Sequence, residues 1–461
     1  MKKLLPLLFV VFAAGAQGQP RTPEQQAAFE TYKELIEINT VTNTGDTGRA
    51  ADAVAARLLA AGFPAGDVHV FRPAPRKGNL VAKLRGTGAK RPMILMAHID
   101  VVEARREDWS TDPFRLVEQD GYYYGRGTTD DKFMAAAFVA NLVRYKKEGY
   151  RPDRDLILVL ETDEETGDAE AYGIGWILKH QRALLDAEFA LNEGAGVGLD
   201  QGKPIRVGVQ TSEKVYMDFT VEVRDAGGHS SQPGPTNAIY KLSEGLVRLG
   251  KYDFPMALND TTRLFMQRAV AFEEAQIGAD MRAITLPNPD AAAVARLSAI
   301  PRFNSQIRTT CVATMLEGGH APNALPQLAK ANVNCRILPG HSVDDVQATL
   351  QRLLGDEVKI SRRYTPNTSE PSPINPEIFG AIEKLSAEFW PGAPIIPIMA
   401  AGATDGAFLR NAGIPTYGHS GQASEVSENR AHGRDERVPV KAFYEGVDYL
   451  YRLVKVLGGG R

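Results

Sequence analysis

The chain has 461 residues, 43% of them hydrophobic and 24% charged, with a formal net charge of −3. That length exceeds one ordinary hydrophobic core and predicts two domains. The mild acidity excludes a general nucleic-acid or anionic-membrane role, since either favours a basic surface.

In chain order, Lys2 and Lys3 precede an apolar run over residues 4–14, closed by Ala14-Gly15-Ala16. This is the layout of a secretory signal peptide cleaved after Ala16 or Gly18. Residues 1–18 are therefore expected to be removed, leaving an exported protein, periplasmic or extracellular. No stretch approaches the ~18 continuous apolar residues of a membrane span.

Over the first two hundred or so residues, short apolar runs alternate with helical patterns, which predicts an α/β sheet with helices on both faces. Residues 93–97 read as a buried strand ending at His98, and 156–160 as another that delivers Glu164 and Glu165. Residues 189–191 lead into Asn192-Glu193. Open α/β sheets bind ligands at the carboxyl ends of their strands, and three strands here deposit histidine or acid at that end. Asp130 follows the turn-rich 125–129 and precedes a helix starting near Lys132; His432 lies near the C-terminus. Histidine and carboxylate hold pairs of divalent metals, and one carboxylate beside such a pair can serve as general base. The two oxygens of a carboxylate can bridge ions ~3.5–4 Å apart. Asp130 and Asp131 compete for that place.

From Val215 the character changes. Residues 215–223 alternate like a strand, 237–249 read as a helix, 251–300 as an irregular portion, 309–316 and 331–338 as strands, and 343–354 as a helix. This order predicts a small α+β domain inserted into the larger one. The expected organisation is a catalytic domain of 19–214 and 361–461, interrupted by a lid over 215–360. Cys311 and Cys335 fall in the two adjacent strand predictions. They face each other if the strands pair antiparallel, and an oxidising compartment then permits a bridge. Two reduced, buried thiols are the alternative.

Four strings carry a family resemblance: Met96-Ala97-His98-Ile99-Asp100-Val101-Val102, Gly125-Arg126-Gly127-Thr128-Thr129-Asp130-Asp131-Lys132, Thr162-Asp163-Glu164-Glu165-Thr166-Gly167 and Ala431-His432-Gly433-Arg434-Asp435-Glu436. Together they resemble the M20 metallopeptidases, which include glutamate carboxypeptidases, carboxypeptidase S-like enzymes, aminoacylases and succinyl-diaminopimelate desuccinylase. The resemblance implies a zinc-peptidase-like α/β catalytic domain with an inserted ferredoxin-like lid that forms a homodimer. It implies two zinc ions, with cobalt or manganese also admitted by the ligand types. His98, Asp130 and Glu193 would hold one ion, and Asp130, Glu165 and His432 the other. Asp100 would fix the tautomer of His98, and Glu164 would be the general base, acting on water acidified between the ions.

The same resemblance extends to the lid. Gly227-Gly228-His229-Ser230-Ser231-Gln232-Pro233 matches a motif whose histidine reaches across the dimer to an oxyanion. Asn323 matches a substrate-contacting asparagine and Arg336 an arginine that binds the substrate carboxylate through its planar fork. Gly402 and Thr404 lie in a small-residue segment lining the cleft. The implied activity is hydrolysis of an amide beside a free carboxylate in small peptides or N-acyl amino acids. Glu193 tilts the reading toward carboxypeptidase or deacylase, since aminopeptidases of the family tend to carry Asp there. A biosynthetic deacylase of the acetylornithine or desuccinylase type, or an aminopeptidase or dipeptidase, is the alternative. Among the other histidines, His69, His180 and His341 have no acidic partner nearby in sequence, and no Gly-x-Ser-x-Gly elbow is present.

Overall fold

The computed structural model describes residues 20–460; the expected signal peptide lies outside the described residues. A ten-stranded mixed sheet forms the larger unit. Its strands in chain order are β1 (Val68–Ala74), β2 (Lys77–Leu84), β3 (Met93–His98), β4 (Leu156–Glu161), β5 (Phe189–Asn192), β6 (Val197–Asp200) and β7 (Lys203–Glu213). The smaller unit supplies β8 (Val215–Arg224), β9 (Thr310–Gly318), β10 (Leu328–Ile337) and β11 (Lys359–Arg362). The chain then returns to the large sheet with β12 (Ile395–Ala400), β13 (Thr416–Gly418) and β14 (Ala423–Glu425).

The spatial order is β1-β2-β4-β3-β5-β13-β7-β6-β14, with β12 alongside β7. Strands β3 and β4 run parallel with His98 opposite Glu161, and β5 runs parallel to β3 on its other side. Every residue of β3, β4 and β5 is buried. A strand covered on both faces must be apolar throughout, which explains the unbroken Met93-Ile94-Leu95-Met96-Ala97 and Leu156-Ile157-Leu158-Val159-Leu160 runs. Each such side chain contributes about 1.5–3 kcal/mol by leaving water, and Leu158→Ala in the middle of β4 would cost about 2–5 kcal/mol.

Helices seal both faces. Pro23–Glu37 starts cleanly because Thr22 and Gln25 form a reciprocal capping box and Pro23 occupies the first turn. Lys132–Glu148 is buried along nearly its whole length and ends at the left-handed Gly149. It packs beside Val440–Gly458, where Asn141 and Tyr145 donate to the carbonyls of Val447 and Tyr451.

The smaller unit has the predicted strand-helix-strand-strand-helix-strand order. Its antiparallel sheet runs β9-β10-β8-β11, a ferredoxin-like arrangement. Residues of β10 alternate between buried and partly exposed, so one face meets helices Ala238–Gly250 and Val343–Leu354 through Leu242 and Leu350. The other face carries Tyr216, Asp218, Asn334 and Arg336. Cys311 lies opposite Cys335 across β9 and β10, and the two form a disulfide.

One expectation is corrected. The portion over 251–300 is not irregular: helices Asp260–Ala269, Ala275–Ile284, Ala291–Ser298 and Pro301–Ile307 enclose their own core of Met266, Met281, Leu297 and Phe303. Asn259 and Thr262 cap the first helix reciprocally, Asp290 caps the third, and Pro301 opens the fourth. This helical block lies in sequence within the lid, yet it is anchored to the large sheet. Thr261 bonds Thr211 at 2.8 Å, Arg268 donates to the Ile395 carbonyl at 2.7 Å, and Gln306 donates to that of Met399 at 3.0 Å.

Candidate metal centre

The carboxyl ends of β3, β4 and β5 place His98, Glu164, Glu165 and Glu193 at one edge of the sheet. Asp130 is brought there by the turn before helix Lys132–Glu148. His432 arrives from the far end of the chain because Arg437–Pro439 pairs antiparallel with Tyr122–Tyr124. Glu436 then aims its buried carboxylate at the turn. One oxygen accepts the N–H of Thr129 at 2.7 Å and of Asp130 at 3.2 Å. The other accepts Gly127 N–H at 3.0 Å and pairs with Arg126 at 2.8 Å.

Held this way, Asp130 presents Oδ1 to His98 Nε2 at 2.9 Å and Oδ2 to His432 Nε2 at 3.1 Å. His432 Nε2 also meets Glu165 Oε2 at 2.9 Å, and Glu193 Oε2 lies 3.9 Å from His98 Nε2. Two donor sets result, one of His98, Asp130 and Glu165 and one of His98, Glu164 and Glu193, their ligand atoms within 4.8 Å of one another. It is Asp130, not Asp131, that lies between the histidines. Asp131 is buried beneath, at the start of the helix.

Asp100 differs in detail from the expectation. His98 Nδ1 contacts the backbone carbonyl of Asp100 at 3.1 Å, while the nearer carboxylate oxygen is 3.7 Å away. The carboxylate instead accepts the N–H groups of Glu164 and Glu165 at 3.3 and 3.1 Å. Asp100 thus fixes the imidazole through its main chain and the Glu pair through its side chain. Just before that pair, Asp163 takes a left-handed φ of 69° and pairs with Lys77.

The charge pattern suits cations. Burial, then the neighbouring Glu193, pushes the Glu164 carboxyl well above its usual range. Burial also raises Glu193 to about 8, with His98 opposing and Asp130 reinforcing. Hydrogen bonds to Asp130 and Glu165 carry His432 up to about 10. Carboxylates crowded out of water resist ionising together, and divalent cations relieve that repulsion. The two donor sets share His98, and their histidine and carboxylate atoms fit a divalent cation.

The residues expected to face the substrate lie elsewhere. Arg336 stacks over Tyr216 at 4.4 Å and reaches across to the Ala401 carbonyl at 3.2 Å. Gly402 is exposed beside that contact. The Thr404 hydroxyl is already engaged, donating to Glu213 Oε2 at 3.1 Å; Glu213 in turn pairs with buried Arg410 at 2.6 Å. The side chain of Thr404 is therefore held by Glu213, and only the backbone of this segment is left for the role the small residues suggested. His229 and Asn323 come together on a short ribbon, His229 opposite Ala324, and both are exposed. Among the described residues, neither bonds to the metal centre of its own chain. Ser231 occupies His229 Nδ1 at 2.7 Å.

Sequence reasoning missed Glu436 and Glu161. Glu436 lay within the quoted Ala431 to Glu436 string, but nothing local in the sequence marked it as buried. Glu161, raised to about 8 by burial, accepts Ile174 N–H at 2.7 Å and faces the buried Asp405; its strand position gave no sign of this.

The sequence matches peptidase family M20/M25/M40 over residues 94–456, and the chain belongs to that family. It is a metal-dependent hydrolase. It is 30% identical over 377 residues to the N-fatty-acyl-amino acid synthase/hydrolase PM20D1 of Xenopus tropicalis, covering 79% of this chain and 72% of the relative. It is 29% identical to a probable carboxypeptidase S-like 2 of Dictyostelium discoideum, covering 79% and 71%. In fold it resembles the M20 metallo-carboxypeptidase Sso-CP2 of Sulfolobus solfataricus, with a TM-score of 0.69 at 17% identity over 94% of this chain and 99% of that one.

Proposed function

We propose that the protein is an exported amidohydrolase using two zinc ions to cleave an amide bond beside a free carboxylate, in small peptides or N-acyl amino acids. The observation that carries this reading is Asp130, whose two oxygens meet two different imidazoles while the Glu164 carboxylate stands beside them with no hydrogen bond of its own among the described residues. His98, Asp130 and Glu193 would hold one ion, and Asp130, Glu165 and His432 the other. When bound, the ions would polarise the scissile carbonyl and acidify water at the centre.

The residues then divide the work. Glu164, kept ready to hold a proton by its burial, takes one from the attacking water and delivers it to the departing nitrogen. Arg336 grips the substrate carboxylate, its guanidinium oriented by the Tyr216 ring. His229, with Nδ1 taken by Ser231, keeps Nε2 free to donate toward an oxyanion in a second copy of the chain. The edge strand β9 supports such a homodimer: Val312, Met315 and Leu316 are 58%, 57% and 64% exposed on it, and an apolar open edge calls for a partner. The Cys311–Cys335 disulfide fits an oxidising compartment and so supports export.

The test is release of free amino acid from a mixture of dipeptides and N-acyl amino acids, followed by mass spectrometry, with chelated protein and Glu164→Ala as controls. Release abolished in both controls is expected. No release and no bound metal would sink the reading.

A further inference from the structure

A groove of about 390 Å³ opens from the metal centre at Asp130 and Glu193 and runs over the far strands of the large sheet. That volume lies within the range of small-molecule sites. Its floor follows from the sequence Glu193-Gly194-Ala195-Gly196-Val197-Gly198. Side chains alternate along a strand, so Gly198 in β6, and Gly196 just before it, leave one face without two successive side chains. Arg206 on β7 lies directly across from Gly198. A Cβ at Gly198 would stand 3.0 Å from Arg206 and from Val426, so the arginine lies flat over the glycine.

Among the described residues, Arg206 is the one arginine lining this groove whose side chain has no partner. Arg430 and Arg437 both pair with Glu428, at 2.7 and 2.5 Å. Glu425 accepts the Gly202 N–H at 2.7 Å. The acid nearest Arg206 in charge terms is Glu273, which is clasped by Arg302 through contacts of 3.1 and 2.7 Å. Among the described residues, the Arg206 side chain makes no hydrogen bond or ion pair. Burial draws its guanidinium below the ordinary value. A partly desolvated arginine without a counter-charge is costly unless a ligand supplies one.

We propose that Arg206 is a specificity-determining residue that binds a carboxylate at the far end of the substrate's acyl portion, so that the groove selects dicarboxylic over fatty acyl groups. This rests on the amidohydrolase reading above. A long hydrocarbon would cover Arg206 and leave it unpaired, whereas a carboxylate would meet its planar fork. Gly198 lies five positions beyond Glu193, so their Cα atoms are at most about 18 Å apart, within reach of a short acyl chain.

The experiment is kcat/KM of the metal-loaded enzyme on leucine acylated with succinyl, glutaryl, adipoyl or suberoyl groups, each against the monocarboxylic chain of equal length. The expected result is a preference for one dicarboxylic length by about ten- to hundred-fold, the range of a charge-assisted hydrogen bond. Arg206→Met should abolish that preference, Arg206→Lys retain part of it, and Gly198→Val weaken every acyl group that must pass the floor. A wild-type preference for the monocarboxylic chains, or an equal loss on both series in Arg206→Met, overturns the proposal. Turnover of none of these amides, nor of the mixed panel above, would instead sink the amidohydrolase reading. The proposal is then decided by calorimetric titration with free dicarboxylates against monocarboxylates. An Arg206-dependent gain supports it, and no gain overturns it.

Discussion

The carboxylate of Glu436 accepts the backbone N–H of Asp130 at 3.2 Å across 306 residues of sequence. The same oxygen takes the N–H and hydroxyl of Thr129, both at 2.7 Å. One buried acid thereby shapes the loop that aims Asp130 at both imidazoles.

Glu436→Gln keeps the shape but gives up the charge opposite Arg126. Partners that orient a ligand typically account for a 10–100-fold change in metal affinity, and an uncompensated buried arginine costs about 3–5 kcal/mol. Chelator competition should show weakened metal binding together with a lowered melting temperature. Unchanged affinity would mean that Asp130 is positioned without Glu436.

Glu164→Gln should lower kcat by about 10²–10⁴-fold, the usual worth of a general acid–base group. Metal content by mass spectrometry should stay at the wild-type level, since Glu165 rather than Glu164 meets His432. Loss of metal along with activity would make Glu164 a ligand.

Arg336→Lys removes the fork that stacks on Tyr216. KM for carboxylate-bearing substrates should rise about 10–100-fold, as expected for a hydrogen bond to a charged group. Amidated substrates should be nearly indifferent to the change. An equal effect on both would contradict carboxylate recognition.

His419 is fully buried, with Nδ1 on the Gly208 carbonyl at 2.7 Å and Nε2 on the Tyr449 hydroxyl at 2.9 Å. Burial lowers its pKa to about 4, against ~6.5 in the unfolded chain. Between those values the unfolded chain binds a proton that the folded one refuses. The stability held by the neutral ring is thus complete above about pH 6.5 and is lost as pH falls toward 4, on the order of 3 kcal/mol in all. Denaturant titrations of wild type and His419→Gln should show their stability difference shrinking over that window. A difference independent of pH would rule this out.

The Cys311–Cys335 bridge closes a separation of 24 residues, for which chain entropy predicts about 3 kcal/mol. Reduction, or the paired Cys311→Ser and Cys335→Ala changes, should lower stability by that order in thermal melts. No change would leave the bridge without a stabilising role.

The strands bearing the site could be read because fully buried parallel strands are written as uninterrupted apolar runs, as in residues 93–97. Antiparallel pairing of the two cysteine-bearing strands was likewise legible, and the register opposes the thiols. The candidate metal-binding residues stood out as a set in order at strand ends. What escaped notice depends on tertiary context. The helices between 260 and 307 are short, and their alanine-rich, proline-broken sequence masks a period that only capping by Asn259 and Asp290 reveals. The Glu436 contacts join segments far apart in sequence, and no local pattern encodes them.

The span from Asp130 to Glu436 also imposes an order in time. A chain synthesised only as far as the lid already carries His98, Asp130, Glu164, Glu165 and Glu193. It lacks both His432 and the acid that shapes the Asp130 loop. On the proposed ligand set a half-made chain would be a poor scavenger of metal, and loading would wait on the last thirty or so residues to dock. Truncation near the C-terminus would be read first as an enzyme that folds much of its sheet yet emerges from purification without its ions.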